Sequence, residues 1–218
     1  MLAEERPVAV LLAGGLARRM GGGDKALRTL AGRPLLDYVI ERIRPQVSAM
    51  VLNANGDAAR FAAWGLPVVA DPLPDFPGPL AGVLAGMRWA AARRAAARGA
   101  VTVLSVPTDT PFLPPDLVER LAAARSSAGV PIACAASGGR THPVAALWPI
   151  ALADALEAAL RAGERKIDAW TARYGVAEAA FDDAGGDPFF NVNRPEELAE
   201  AERRLAEAAA RRQSQPRM

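Results

Sequence analysis

Five glycines fall between Gly14 and Gly23, interleaved with Arg18 and Arg19 and followed by Asp24-Lys25. Glycine lets backbone N–H groups approach an anion without interference from a Cβ, and arginine and lysine supply fixed charge to phosphate oxygens. The run follows the apolar stretch Val8–Ala13 directly, so the glycines sit where a strand should end. The spacing is not G-x-x-x-x-G-K-[ST], because Asp24 precedes Lys25 and Ala26 follows it, and it is not G-x-G-x-x-G. A P-loop hydrolase and a dinucleotide fingerprint are therefore excluded. A phosphate-cradling loop of another kind is expected, the bland alternative being a solvated glycine turn.

Asp109 is the second candidate. It lies in the turn-rich Pro107-Thr108-Asp109-Thr110-Pro111, just past the β-branched run Val101–Val106. A carboxylate at the carboxyl edge of a sheet can hold Mg²⁺ against phosphate oxygens, or it can cap the turn before the next helix. Asn53 and Asp71 also follow strand-like runs and could hydrogen-bond a base or ribose, although both types are common turn residues. Asn191 and Asn193 alternate about Val192, so extended backbone would turn both amides to one side. Asn193 could also cap the last helix. Arg165 and Lys166 could hold an acidic substrate or simply open a helix. His142 beside Pro143 reads as a turn residue, Cys134 as core, and Arg93, Arg94 and Arg98 as a wet helix face.

The elements that must position these residues alternate. Strands are expected over Val8–Ala13, Val47–Asn53, Pro67–Ala70, Val101–Val106 and Val176–Phe181. Helices are expected over Leu35–Ile43, Asp57–Trp64, Leu80–Arg98, Pro115–Ala124, Ile150–Ala162, Lys166–Tyr174 and from Pro195 onward, with Asn193 or Arg194 near the last cap. Pro131–Ala136 and Pro143–Trp148 around Gly138-Gly139 predict a short hairpin insert in the C-terminal half. The pattern is α/β: a three-layer, Rossmann-like, mainly parallel sheet with helices on both faces and right-handed crossovers. Ligands of such sheets bind at the carboxyl ends of the strands, so the loops after the first, second and Val101 strands should meet at one site.

With 218 residues and no linker or low-complexity block, the chain is expected to form a single domain over 1–218, ending in a polar, disordered tail near 210–218. A 51% hydrophobic composition excludes global disorder. A net charge of +2 (26 basic against 24 acidic side chains) argues against a nucleic-acid binder. One cysteine and one histidine exclude a disulfide scaffold, a cysteine-cluster metal site and a histidine-rich zinc site. The start lacks the cationic and apolar regions of a signal peptide, and no apolar run reaches the roughly 18 residues of a membrane span. A soluble, cytoplasmic protein without membrane contact is expected.

Leu12-Ala13-Gly14-Gly15, Arg19-Met20-Gly21 and Asp24-Lys25 together resemble the nucleotidyltransferase signature L-A-G-G-x-x-x-R-M-G-x-x-D-K. Within that group the chain is similar to the molybdenum cofactor guanylyltransferases. Pro77-Gly78-Pro79-Leu80-Ala81-Gly82, Pro107-Thr108-Asp109-Thr110-Pro111, His142-Pro143, Gly163-Glu164-Arg165-Lys166 and Asn191-Val192-Asn193-Arg194-Pro195-Glu196-Glu197-Leu198 resemble further family segments in the same order. Arg194 stands where the family usually has Thr. The resemblance implies a nucleotide-diphospho-sugar transferase type of fold. It also implies GMP transfer from GTP to the terminal phosphate of molybdopterin, with release of pyrophosphate. It places Leu12, Ala13, Gly14, Gly15, Gly22, Lys25, Asn53, Asp71, Gly78 and Asp109 on GTP. Arg19, Lys25 and Asp109 would then be catalytic, Asp109 would hold Mg²⁺, and Asn191, Asn193 and Arg165 would lie on the pterin side. Transient contact with molybdoenzymes or cofactor chaperones is implied for the product. Cytidylyl transfer to molybdopterin, nucleotidyl transfer to a sugar phosphate, and a non-catalytic GTP-binding adaptor remain the alternatives.

Overall fold

A computed structural model of the chain describes residues 6–14, 24–73, 78–96 and 101–214. Arg18, Arg19, Gly15, Gly21, Gly22, Gly23 and Arg98 lie outside the described residues. The apolar first run forms strand β1 (Val8–Leu12), stopped before Gly14. After a 3-10 turn at Lys25–Leu27, the short ribbon β2 (Thr29–Leu30) and β3 (Arg33–Pro34) leads into helix α1 (Leu35–Ile43). Then come β4 (Ala49–Asn53), a 3-10 segment Ala58–Trp64, β5 (Val68–Val69), α2 (Pro79–Ala96) and β6 (Thr102–Pro107). The second half supplies α3 (Leu117–Ala128), the hairpin β7 (Ile132–Ser137) and β8 (Arg140–Pro149), α4 (Ala153–Arg161), α5 (Ile167–Thr171), β9 (Val176–Phe181) and α6 (Pro195–Ser214).

Seven strands form one sheet in the order β5-β4-β1-β6-β8-β7-β9. β1 pairs parallel with β4 on one side and β6 on the other, so the strand order reverses direction at β1. Both faces are covered. Ala9 and Leu11 of β1 pack with Leu36, Val39 and Ile43 of α1 and Leu117 and Leu121 of α3. Val8 and Val10 pack on the other face with Leu80, Val83, Leu84 and Met87 of α2, Leu156 of α4 and Trp170 of α5. Burial on both faces is why β1 reads as a continuous apolar run rather than an alternating one. A third, small core joins the β2–β3 ribbon (Leu30) to Val192 and Ala201. Each fully buried leucine or phenylalanine is worth roughly 1.5–3 kcal/mol. Exposed ion pairs such as Arg88–Glu157 contribute about 0–1 kcal/mol each, so the buried cores hold the fold.

The expected hairpin forms, and both its strands belong to the sheet itself. β8 lies between β6 and β7, antiparallel to each. Ile132-Ala133-Cys134 and Ala145–Trp148 are buried on both faces, which only a central position allows. Burial pushes the Cys134 thiol up to about 11, as suits a core residue. α3 starts at Leu117 rather than Pro115 and continues to Ala128, where Gly129 in the left-handed region ends it. α6 runs through Ser214, so helix replaces the expected tail over 210–214. Its Ala, Glu and Arg residues are strong helix formers, and pairs such as Glu200–Arg204 add support.

Candidate functional site

The loops after β1, β4 and β6 open into one cavity of about 620 Å³ at the carboxyl ends of the strands. Leu12, Gly14, Lys25, Asn53, Asp71, Gly78, Asp109 and Asn191 line it. Sequence reasoning expected these loops to meet. The structure adds two walls that it missed. One is Asn55, from the β4 loop. The other is Thr141–Ala145 of β8, with Phe189 beside it.

The floor is tied together by side-chain hydroxyls and amides. Thr108 Oγ1 donates to the Leu12 carbonyl at 3.1 Å, locking the end of β6 to the end of β1. The buried Thr110 hydroxyl donates to Asn191 Oδ1 at 2.7 Å, and the Val192 N–H donates to the Asp109 carbonyl at 2.8 Å. The segment before α6 is thereby strapped across the β6 loop. Asn193 is set in turn by Glu197, whose Oε2 accepts the Asn193 N–H at 2.6 Å. Pro195 at the start of α6 needs no partner for a missing N–H.

Lys25 is the centre of this arrangement. Its ammonium donates to Asp109 Oδ2 at 3.3 Å and to Asn193 Oδ1. The lysine is itself steered from behind. Arg60 binds the neighbouring Asp24 carboxylate through Nε at 2.5 Å and the Asn55 carbonyl through Nη2 at 2.7 Å. Nothing in the spacing of Arg60 pointed to that duty. Burial raises the Asp109 carboxyl above its ordinary value, and the Lys25 ammonium opposes the rise.

The opposite end of the cavity carries a polar knot. Asn53 Nδ2 donates to Asp71 Oδ1 at 2.9 Å and to the Val69 carbonyl at 3.3 Å. Asn55 Nδ2 donates to Asp71 Oδ2 at 2.7 Å while its Oδ1 accepts the Asp71 N–H at 2.8 Å. Asn53 is only 5% exposed, so its amide is a fixed element of the wall. Gly82 and Gly86 of α2 let this helix close down on the sheet. A Cβ at Gly82 would lie 2.3 Å from Asn53 Oδ1, and one at Gly86 would lie 2.5 Å from Val10 Cβ. Pro79 opens α2 at the cavity rim, so the positive end of an 18-residue helix faces the space.

Two expected residues stand apart. The Ala13 N–H is spent on the Asn53 carbonyl at 2.9 Å, and its side chain is buried. The structure does not bring Arg165 to the cavity: its Nη1 donates to the Leu160 and Glu164 carbonyls, at 3.0 and 2.7 Å, closing the end of α4.

The wall from β8 exists because of a bulge. Cys134 pairs with Ala146 but the next residue, Ala135, pairs with His142, so residues 143–145 are displaced from the ladder. Pro143 has no N–H to offer that ladder. The fully buried Ser105 hydroxyl donates to the Val144 carbonyl at 2.5 Å and accepts Trp148 Nε1–H at 2.7 Å, fixing the bulge from below. Burial lowers the His142 imidazole below its ordinary value, with Asp187 opposing, so the ring is neutral near pH 7.

The donor set fits a divalent cation of the magnesium type. Asp109 Oδ2 and Asn193 Oδ1 already converge on one cation, the Lys25 ammonium. Among the described residues there is no group of three or more His, Cys, Asp or Glu that could cage a metal. Mg²⁺ commonly takes one or two protein ligands and completes its shell with phosphate oxygens and water.

Comparison with known proteins agrees with this geometry. Residues 9–178 match the family model described as the MobA-like NTP transferase domain. A Rhodopseudomonas palustris protein named molybdenum cofactor guanylyltransferase is 59% identical over 196 residues, covering 89% of this chain and 92% of that protein. The solved structure of molybdopterin-guanine dinucleotide biosynthesis protein A from Archaeoglobus fulgidus superposes with a TM-score of 0.72 at 25% identity, covering 92% of this chain and 99% of that one. A Mycobacterium tuberculosis protein solved in complex with manganese shares the fold, with a TM-score of 0.64 at 17% identity and coverage of 91% and 98%.

Proposed function

The chain belongs to the MobA-like NTP transferase family, and on that premise we propose that it transfers GMP from GTP to the terminal phosphate of molybdopterin. Pyrophosphate leaves, and the guanine dinucleotide form of the cofactor is the product. The observation that carries this reading is the convergence of Lys25, Asp109 and Asn193 at the carboxyl end of β6, between the Asn53–Asp71 knot and the β8 wall.

An acceptor phosphate oxygen attacks the α-phosphorus of GTP. The new oxygen–phosphorus bond forms as the bond to the β-phosphate oxygen breaks, and that electron pair leaves with pyrophosphate. The attacking phosphate is already ionised near neutral pH, so no general base is needed. Catalysis here is placement and charge neutralisation. Lys25 puts a cation against the phosphates, and the N-terminal end of α2 adds a fixed positive dipole. Asp109, with Asn193 Oδ1 beside it, would hold Mg²⁺, which supplies charge neutralisation at the phosphate oxygens. Asn53, Asn55 and Asp71 present the hydrogen-bonding edge for base or ribose. Gly14 and the Gly78–Pro79 rim border the triphosphate. Asn191 fixes the strap that carries Asn193.

The test uses purified protein, Mg²⁺, molybdopterin and α-labelled GTP, CTP and ATP in parallel. Label should pass to the cofactor from GTP alone and should be lost with EDTA. Transfer from CTP would move the protein to the cytidylyl branch. Absence of transfer from every nucleotide, with GTP still bound, would leave a sugar-phosphate substrate or a non-catalytic binder.

Gly82→Ala is a sharper probe of the nucleotide end. The new methyl group meets the Asn53 amide and Leu12 Cδ2 rather than backbone, so the substitution should cost about 1–3 kcal/mol of stability and leave the chain folded. Asn53 must move, and KM for GTP should rise roughly three- to tenfold in steady-state kinetics. An unchanged KM would remove Asn53 from the nucleotide site.

Among the described residues no helix is long and apolar enough to cross a membrane. We place the reaction in the cytoplasm, with the product handed directly to a cofactor chaperone or apo-molybdoenzyme; co-elution without any such contact would argue against the handover.

A further inference from the structure

We propose that His142 offers Nδ1 as a fixed hydrogen-bond acceptor to an N–H group on the ring system of the acceptor substrate, so that this imidazole selects the molecule receiving the nucleotidyl group. The inference rests on the nucleotidyl-transfer reading above.

Position along the sheet edge comes first. Asn53 ends β4, Asp109 follows β6, and His142 lies on β8, on the far side of β6 from β4. Neighbouring strands are about 4.8 Å apart. A nucleotide bound at Asn53 with its phosphates at Lys25 and Asp109 therefore leaves β8 to the other reactant. The β8 bulge carries His142, with Thr141, Val144 and Ala145, into that end of the cavity.

The hydrogen-bond chain behind the ring decides its tautomer. Ser137 Oγ donates to Asp187 Oδ1 at 2.7 Å and lies 2.7 Å from His142 Nε2. A hydroxyl has one proton. With that proton on the Asp187 side, Ser137 can only accept from the imidazole, so Nε2 carries the hydrogen. Asp187 is held to this role by the Phe189 N–H at 2.9 Å and by the Arg140 guanidinium at 3.6 Å. In the neutral ring Nδ1 is then a bare lone pair, and among the described residues no donor reaches it. Phe189 stacks on the imidazole with centroids 4.5 Å apart and planes at 23°, and Phe181 backs Phe189 edge-on at 5.2 Å. The ring therefore cannot swing to another use cheaply. A fixed acceptor in a partly apolar wall discriminates by leaving itself unpaired when the substrate lacks the matching donor. The pterin ring of molybdopterin bears such N–H donors.

The experiment varies molybdopterin at saturating GTP and measures GTP affinity separately by direct binding. His142→Phe keeps a ring against Phe189 and deletes the lone pair. It should raise KM for molybdopterin about tenfold or more, with kcat at saturating acceptor changed by less than about threefold and GTP affinity intact. His142→Asn, whose Oδ1 can stand near the place of Nδ1, should recover part of the loss. Ser137 is a positioning residue, and Ser137→Ala should shift the acceptor KM in the same direction while kcat holds. Intact GTP binding shows that each variant is folded. An unchanged acceptor KM in His142→Phe, or a matching loss of GTP affinity, would overturn the assignment. Failure of the wild-type protein to transfer label at all would overturn the reaction and this inference together.

Discussion

Asp109→Ala is expected to lower kcat for nucleotidyl transfer by about a thousandfold, while the dissociation constant for GTP rises no more than about tenfold. Asp109 follows β6, between the β4 and β8 ends of the cavity, so its removal should strike the proposed reacting centre more than the Asn53–Asp71 knot. Pyrophosphate release and nucleotide binding, measured on the same preparation, separate the two. Unchanged turnover would remove Asp109 from the metal role. Stability should move the other way. Burial holds the Asp109 carboxyl above its ordinary value. A raised carboxyl contributes stability while protonated, below the ordinary carboxylate range, and that contribution is lost as pH rises through the raised value. At neutral pH the ionised group is therefore kept at a cost. Asp109→Asn should melt at or above the wild-type temperature while remaining inactive.

Lys25→Ala should reduce kcat/KM by a hundredfold or more, the second largest effect expected of any single change. Its ammonium meets Asp109 and Asn193 together, and the structure offers it no slack: Asp24 is held by Arg60 on one side and the β2–β3 ribbon follows on the other. Two costs combine. The phosphates lose a cation, and the buried Asp109 loses the charge that opposes its desolvation. Lys25→Arg should fail to restore the rate. A planar five-donor fork cannot occupy the point where two oxygens converge on a single ammonium. Steady-state kinetics with both variants decides it. Near-full activity in Lys25→Arg would mean that charge alone matters there, whatever its shape.

Much of this site was legible in the residues, and for identifiable reasons. Asn53 and Asp109 each follow a run of buried β-branched or aliphatic residues, and a strand buried on both faces announces its own end. Local rules place such residues at the carboxyl edge, and the alternation of strand and helix brings those edges together. Val176–Phe181 and Leu35–Ile43 were readable in full, because a period of two or 3.6 with one clean face needs no partner to be recognised. Arg60, Ser105 and Asn55 were not. Each acts through a neighbour brought from 36 or more residues away in the cases of Arg60–Asp24 and Ser105–Val144, and from 16 away for Asn55–Asp71. No repeat of two or 3.6 residues joins such a pair.

His142 and Arg165 mark the boundary from both sides. In the sequence, His142 reads as a turn residue beside a proline and Arg165 as a cation near an acidic substrate. The fold spends Arg165 on the carbonyl end of α4 and lifts His142 into the cavity. By itself the sequence determined the parallel strands β1, β4 and β6, the loops that meet at their carboxyl ends and the charged residues they carry, because periodicity and turn chemistry are local; that the hairpin strands β7 and β8 join the same sheet was decided by packing. Only the tertiary structure decided which oxygens converge on Lys25, which proton Ser137 can give, and where the β8 backbone leaves its ladder. Those depend on distances between segments far apart in the chain, and packing sets them.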